Sequence, residues 1–338
     1  MPRADQWMRA AADLMKQRNV VAAFRAHYGG ILTAAGRWDE AETELLEAAH
    51  HFDRGLSSRR DAAIIRLADL RIRQGRVEEA VQLLDGLEQH PDAVRTLAAL
   101  HLARGETAIA RDVLERATQA TDDRVPTVGE SSMLGPLLAL LVDVYLEVGH
   151  LEDADRVARR LDRIAQVQRG PYLKAAAALA KGRVCIATGS GDARACLHEA
   201  LEGFARAQLP MELARARLEM ARAMSKRSPE VAIAEAKAAL ESFERLEAAR
   251  DADAAGAMLR SLGAPIRTGP KGVGTLTRRE AEILVLLGAG LSNPEIGDRL
   301  YITRKTVEHH VGNILSKLGL RNRAEAAAFA TRQRPARN

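Results

Sequence analysis

Cysteine is almost missing from this 338-residue chain, which carries only Cys185 and Cys196. Two thiols make no disulfide framework, so a reducing cytoplasm is the expected setting. They read as small core residues, with a redox pair across a helical hairpin as the other reading. Aromatic residues are scarce as well, at 3%. A core built on aromatic strands is excluded, and Ala, Leu, Val and Ile must fill it, which suits closely packed helices. Long apolar runs are absent: the longest, around Met133–Val142, contains Pro136 and is too short to span a bilayer. The first residues carry charges throughout and lack an apolar stretch, so no signal peptide is expected, and no membrane partner.

Chemistry-bearing constellations are missing too. The segment GPKGVGT inside Gly263–Thr275 is the nearest approach to a phosphate loop. It lacks a Gly-Lys-Ser/Thr ending and follows no strand, so nucleotide binding is rejected. Asp122-Asp123 sits in a polar stretch and not after an apolar strand, which excludes a phosphoacceptor site. His309 and His310 diverge on a helix and have no further ligands nearby, so no metal is expected. The chain is predicted to be no enzyme and to need no cofactor.

Net charge is missing from most of the chain. Residues 1–275 hold 39 basic and 39 acidic side chains, whereas residues 276–338 hold eleven basic against six acidic. A basic module joined to a neutral one points to a polyanion met by the module alone.

What is present is a recurring pattern. A Gly is followed two residues on by a larger residue and five on by Ala, with apolar or small residues after it at helical spacing. Copies are Gly36-Arg-Trp38-Asp-Glu-Ala41, Gly75-Arg-Val77-Glu-Glu-Ala80, Gly105-Glu-Thr107-Ala-Ile-Ala110 and Gly149-His-Leu151-Glu-Asp-Ala154. Weaker copies centre on Ala193 and Ala232. The Gly ends one helix in a left-handed conformation, and the Ala lets the next pack close against it. Each unit buries its remaining face on its neighbour. Over roughly residues 20–245 these copies resemble tetratricopeptide repeats, with Leu67-Ala68, Leu97-Ala98 and Tyr145 on that family's small and aromatic positions. The spacing departs from the family's regular period, so an irregular superhelix is expected. A helix over about Glu247–Leu262 reads as a cap, Thr118–Ser132 as a long loop and Gly263–Thr275 as a linker.

Helix-boundary chemistry clusters after Leu276. Thr277 with Glu280, Ser292 with Glu295 and Asn322 with Glu325 have capping-box spacing, and Thr303 reads as a further N-cap. Helices are predicted at about 278–288, 293–300, 304–318 and 323–331. The second and third are joined by Tyr301-Ile302-Thr303, the layout of a helix-turn-helix reader. Val307, Val311, Ile314 and Leu318 form one apolar stripe on the third helix, backed by Ile283, Leu284, Leu287, Ile296, Leu300 and Ile302. The opposite face carries Lys305, His309, Gly312 and Ser316, flanked by Glu308 and Asn313, with no large apolar residue. Glu308 either pairs with Arg304 or Lys305 at helical spacing or accepts from a cytosine amino group. Gly312 costs a helix interior about 0.5–1 kcal/mol, which suggests close backbone approach to DNA.

This stretch closely resembles the LuxR-type (GerE) helix-turn-helix family. The markers are Leu276-Thr277-Arg279-Glu280, Gly290-Leu291-Ser292-Asn293 with Glu295-Ile296, Thr306-Val307 with His310, Asn313-Ile314, Lys317-Leu318, and Asn322-Arg323 with Ala326. The resemblance implies base reading by Glu308, His309 and Gly312. It implies phosphate contacts from Ser292, Asn293, Thr303, Arg304, Lys305, Thr306, Asn313 and Lys317. Glu308 and Gly312 stand where some members have lysine, so the target sequence stays unassigned. The fourth helix, with Arg323, Ala326, Ala327 and Ala330 and an exposed Phe329, is implied to pair two domains on DNA.

The expected fold is all-α: a tetratricopeptide-like helical-hairpin solenoid over 1–262, a linker over 263–275, and a four-helix LuxR-type domain over 276–338. The expected function is a DNA-binding transcription regulator, with activation implied by the family. Its partners would be double-stranded DNA, a second copy of the chain on DNA, and RNA polymerase or a peptide, protein or small-molecule effector at the array. The alternative is a repeat scaffold whose basic domain docks protein.

Overall fold

Glycine and alanine set the rhythm of the array. Gly36, Gly75, Gly105 and Gly149 all take positive φ, near +75°. At each, the next amide reaches back to the helix just ended: Arg37 N to Leu32 O at 3.0 Å, Arg76 N to Arg71 O at 2.8 Å, Glu106 N to His101 O at 2.8 Å and His150 N to Tyr145 O at 2.8 Å. That back-bond satisfies a terminal carbonyl and turns the chain in one residue.

The computed structural model describes residues 18–51, 57–119, 128–168, 170–264 and 276–333, except 277 and 303. Among these residues the fold is all-α, with seventeen α-helices, one short 3-10 turn at Pro91–Ala93, and no strand. The chain divides into two compact units, Met1–Pro265 and Ile266–Asn338. The first holds α1 (Arg18–Ala34), α2 (Trp38–His51), α3 (Ser57–Arg73), α4 (Val77–Leu84), α5 (Val94–Ala103), α6 (Thr107–Gln119), α7 (Val128–Glu147), α8 (Leu151–Gln168), α9 (Pro171–Thr188), α10 (Ala193–Ala207), α11 (Pro210–Met224), α12 (Pro229–Arg245) and α13 (Ala249–Ser261). Six antiparallel hairpins follow, α1–α2 to α11–α12, with α13 packed on the last. No helix among the described residues is long and apolar enough to cross a membrane.

The anchor alanines Ala41, Ala80, Ala110, Ala154 and Ala232 are fully buried, as are Ala68 and Ala98. Leu67, Leu97 and Tyr145 are buried beside them, and the Tyr145 hydroxyl donates to Glu115 at 2.8 Å. Ala193 is a correction. It opens α10 half-buried, and by spacing the anchor place falls on Cys196, itself half-buried, five residues after Gly191 as Ala41 is after Gly36. Two left-handed glycines, Gly189 and Gly191, lengthen this turn and shift the register. The loop expected over Thr118–Ser132 is shorter, because α6 runs through Gln119 and α7 begins at Val128. The linker expected over Gly263–Thr275 falls, beyond Ala264, outside the described residues.

Curvature comes from unequal neighbours. Each odd-numbered helix touches the next odd one, from α1 on α3 to α11 on α13, and no comparable contacts join consecutive even-numbered helices among the described residues. The odd helices therefore line the inside of a tight curve. The curl continues until its two ends meet. Arg73 Nη1 on α3 donates to Glu212 Oε1 on α11 at 3.0 Å. Gly36 lies so close to Pro210 and Leu246 that a Cβ there would sit 2.7 Å from each. Arg250 Nη2 donates to Leu102 O at 3.4 Å.

The inner wall lines a cavity of about 560 Å³, partly open to solvent, drawn from α3, α5, α7, α9, α11 and α13. A smaller one of about 110 Å³ shares Arg73, Arg95, Leu140, Asp143, Arg183 and Arg215 with it. Charges pair from helix to helix along the wall. Asp69 accepts from Arg73 at 3.0 Å and from Arg95. Arg183 donates to Asp143 and, at 3.0 Å, to Glu219, which also accepts from Arg222 at 2.6 Å. Arg215 Nε meets Asp251 at 2.9 Å. Burial pushes the Asp69 carboxyl up, but Arg95 and Arg73 outweigh it and hold it at about 2. Burial likewise opposes the charge on Arg183, and Asp143 with Glu219 raises its pKa above the ordinary guanidinium value.

A second ion cluster lies between α2, α3 and α4. Arg71, only 1% exposed, donates to Glu42 and Gln74 and lies 3.2 Å from Glu79. Removing one member of such a cluster strands the others in low dielectric.

Arg71→Ala is expected to destabilise the array by about 3–5 kcal/mol, read from urea unfolding followed by far-ultraviolet circular dichroism. Asp69 is depressed in the folded state, so its contribution is full above its ordinary pKa and drains away as pH falls towards about 2. Asp69→Asn should flatten the stability–pH slope of the array below pH ~4, measured by the same unfolding curves.

Candidate nucleic-acid interface

The second unit holds α14 (Arg278–Gly288), α15 (Asn293–Leu300), α16 (Arg304–Leu318) and α17 (Arg323–Gln333). A capping box starts α15: the Ser292 hydroxyl accepts from Glu295 N at 3.4 Å, and Glu295 Oε2 accepts from Ser292 N at 2.7 Å. Hydrogen bonds from Ser292 hold the Glu295 carboxyl below its ordinary range. Asn322 caps α17, accepting from Glu325 N at 3.0 Å, but Glu325 returns its bond to Arg321 N, one residue upstream of the expected partner. Thr277 and Thr303, the other two expected caps, lie outside the described residues.

The turn between α15 and α16 rests on Tyr301, which takes a left-handed φ of 53°. Ile302 N then bonds back to Gly297 O at 2.9 Å, and the Ile302 side chain is buried. Swinging Ile302 inward aims α16 across α15. The core beneath is Ile283, Leu284, Leu287, Ile296, Ile302, Val307, Val311, Ile314 and Ala326, with Leu300 and Leu318 at its edge. The α16 stripe therefore faces inward, and Arg304, Glu308 and Gly312 on the other side are exposed.

Three cationic ties that spacing did not reveal hold this frame. Lys317 Nζ on α16 donates to Glu280 Oε2 on α14 at 2.6 Å, and Glu280 is only 3% exposed. Arg279 donates to Leu300 O at 2.8 Å, joining α14 to the end of α15. Arg323 on α17 donates to Asn293 Oδ1 and Leu291 O. Each spans 21 or more positions in the chain, so local periodicity carries no trace of it.

The residues predicted to meet DNA divide into three groups. Arg304, Glu308 and Gly312 are exposed along α16, and Arg304 Nε donates to Glu308 Oε1 at 2.8 Å. Space around Gly312 is open, with nothing within 4 Å of where a Cβ would stand. No packing inside the domain requires glycine there. Thr306, His310 and Asn313 are half-buried, and Ser292 is exposed at the start of α15. Asn293 and Lys317 are engaged within the domain as above. Thr303 lies outside the described residues, as do the side chains of Lys305, His309 and Ser316, although α16 carries the backbone of the last three. Helix α16 has fifteen residues, hence is about 22 Å long.

Helix α17 sits differently from the expectation. Ala326 is fully buried in the domain's own core, and Arg323 is tied to α15. Gly288 of α14 lies against Ala330, where an added Cβ would come within 2.7 Å, and near Ala327 O. Phe329, expected to be exposed, is half-buried against the core. The outward side of α17 is instead Ala324, Ala328, Thr331 and Arg332.

Residues 274–330 match the family described as bacterial regulatory proteins, luxR family. The transcriptional regulatory protein LnrK of Bacillus subtilis is 54% identical over 57 residues, which are 17% of this chain and 26% of that protein. LiaR of the same organism is 53% identical over 58 residues, 17% of this chain and 28% of its own. The DNA-binding transcriptional activator DevR/DosR of Mycobacterium tuberculosis is 41% identical over 85 residues, 24% of this chain and 38% of its own. The chain thus spans between a quarter and two fifths of the length of these relatives. The C-terminal unit carries a LuxR-family helix-turn-helix domain.

Lys317→Met is expected to lower the stability of this domain by about 1.5–3 kcal/mol, because the Glu280 carboxylate loses its charged partner while buried. Thermal unfolding of the variant beside the wild type reads the effect. A variant with unchanged stability and weaker DNA binding would reassign Lys317 to a phosphate contact.

Proposed function

We propose that this chain is a sequence-specific transcription regulator, in which α16 enters the major groove of duplex DNA and the helical array receives the controlling signal. The observation that carries the reading is the exposed side of α16 at Arg304, Glu308 and Gly312, where the glycine has empty space around it and the sequence places no large apolar residue. The family match over residues 274–330 and the confinement of net positive charge to residues 276–338 support it.

In this reading Glu308, His309 and Gly312 face the bases. Gly312 lets the helix backbone approach closely. Glu308 either keeps Arg304 oriented or leaves it to accept from a cytosine amino group. Arg304 and Lys305 meet phosphates at the start of α16, with Thr303, Thr306 and Asn313 along one flank and Ser292 and Asn293 at the start of α15. Lys317 is assigned to the fold through Glu280.

The domain pairs with a second copy on DNA through the outward side of α17, at Ala324, Ala328 and Thr331. Small side chains there permit close approach, and two-fold pairing matches a two-fold half-site. The array, tetratricopeptide-like in its hairpins and small-residue anchors, is the input unit. One relative is named an activator, and activation is the direction proposed for this chain.

Binding of the full chain to duplex DNA should weaken as salt rises, linearly in log–log form. Lys305→Ala should weaken binding to all sequences alike, and His309→Ala should change preference at one base position by about 1–3 kcal/mol. Fluorescence anisotropy against a duplex library at several salt concentrations measures both. Salt-independent association, or uniform loss in both variants, would refute the division between positioning and reading.

A further inference from the structure

We propose that the cavity lined by the inner helices of the array is a binding site for a small organic anion that also carries a hydrogen-bond donor. The proposal rests on the reading of the array as an input unit and names what enters it. Three observations carry it.

The first is the lining. The wall is built from six helices, with α3 tied across to α11 by Arg73 on Glu212, and the space they surround stays partly open to solvent. A volume near 560 Å³ suits a metabolite-sized ligand.

The second is donor capacity. Arg95, Arg222 and Arg250 line the larger cavity. In the hydrogen bonds described, Arg95 gives one nitrogen to Asp69, Arg222 one to Glu219, and Arg250 one to Leu102 O at the long distance of 3.4 Å. A guanidinium has five N–H donors in a planar fork. Arg95 is 33% exposed and Arg222 47%, so both can turn towards a carboxylate or phosphate without leaving a buried acid bare.

The third is an acceptor without a donor. Glu212 Oε1 is held by Arg73, but Oε2 is buried and has no hydrogen-bond partner. It belongs to the smaller cavity, beside Tyr172, whose hydroxyl is raised in pKa first by burial and then by the Glu212 charge. A buried carboxylate oxygen left unmatched calls for a donor, and a ligand hydroxyl or ammonium supplies one. Leu140 lines both cavities and gives the ligand an apolar bed.

The test uses the full chain and defined probes: citrate for a carboxylate source, glucose 6-phosphate for a phosphate source, and glucose as the neutral control. Calorimetry and thermal unfolding are run at matched ionic strength. The expected result is saturable binding of citrate or glucose 6-phosphate, with stabilisation beyond sodium chloride and none from glucose; which anion binds identifies the source. Arg95→Gln with Arg222→Gln should weaken that binding at least tenfold. Arg250→Gln, which breaks no ion pair described here, repeats the test should the double variant fail to fold. Lys305→Ala separates an anion held by the basic domain, since it should leave cavity binding unchanged. No binding by either anion, or equal binding by folded arginine variants, overturns the proposal. Citrate or glucose 6-phosphate binding that leaves DNA affinity unaltered overturns the input reading and keeps the site. Loss of the site with salt-sensitive DNA binding intact overturns only the site.

Discussion

The array depends on one packing constraint: odd-numbered helices touch each other as well as their hairpin partners. A helix can approach four neighbours only where its side chains are small. Helix α9 shows how this is met, with Ala175, Ala176, Ala177, Ala178 and Ala180 all buried on its several sides. Gly203 of α10 lies against Ala175, and Gly182 of α9 lies against Leu197. Alanine costs the least to hold in a helix, so close approach does not weaken the helix that makes it. Bending follows, because the inner spacing shrinks while the outer does not.

Bending also explains the electrostatics of the first unit. Charges on the inner faces of successive helices are brought within reach of each other, and nearly every carboxylate there meets a guanidinium. The two units use charge in opposite ways. On the inner wall of the array, carboxylates and guanidiniums pair with each other. In the C-terminal unit, Glu280 and Glu282 are spent on Lys317 and Arg279, and the sequence keeps five more basic than acidic residues over 276–338.

Local chemistry made much of this legible. The Gly-to-Ala spacing located four hairpin turns, because each glycine performs the same back-bonded turn. The stripe on α16 was readable from period alone, and so was the Ser292–Glu295 cap. What failed was register and range. The anchor place falls on Cys196 and not on Ala193 because Gly189 and Gly191 both turn left-handed and lengthen the turn, which composition does not announce. The inward setting of Ala326 was missed because an alanine-rich helix looks alike from every side. The Arg73–Glu212 latch joins positions 139 apart, and no pattern within a helix can announce it.

That latch changes what kind of object the array is. An open stack of hairpins has nearest-neighbour interactions only, so it can fray from an end and melt in steps. The Arg73–Glu212 pair ties the second hairpin to the sixth, so the last hairpins cannot fray without breaking it. They are coupled to α3 as well as to their neighbours, through a contact between positions far apart in the chain.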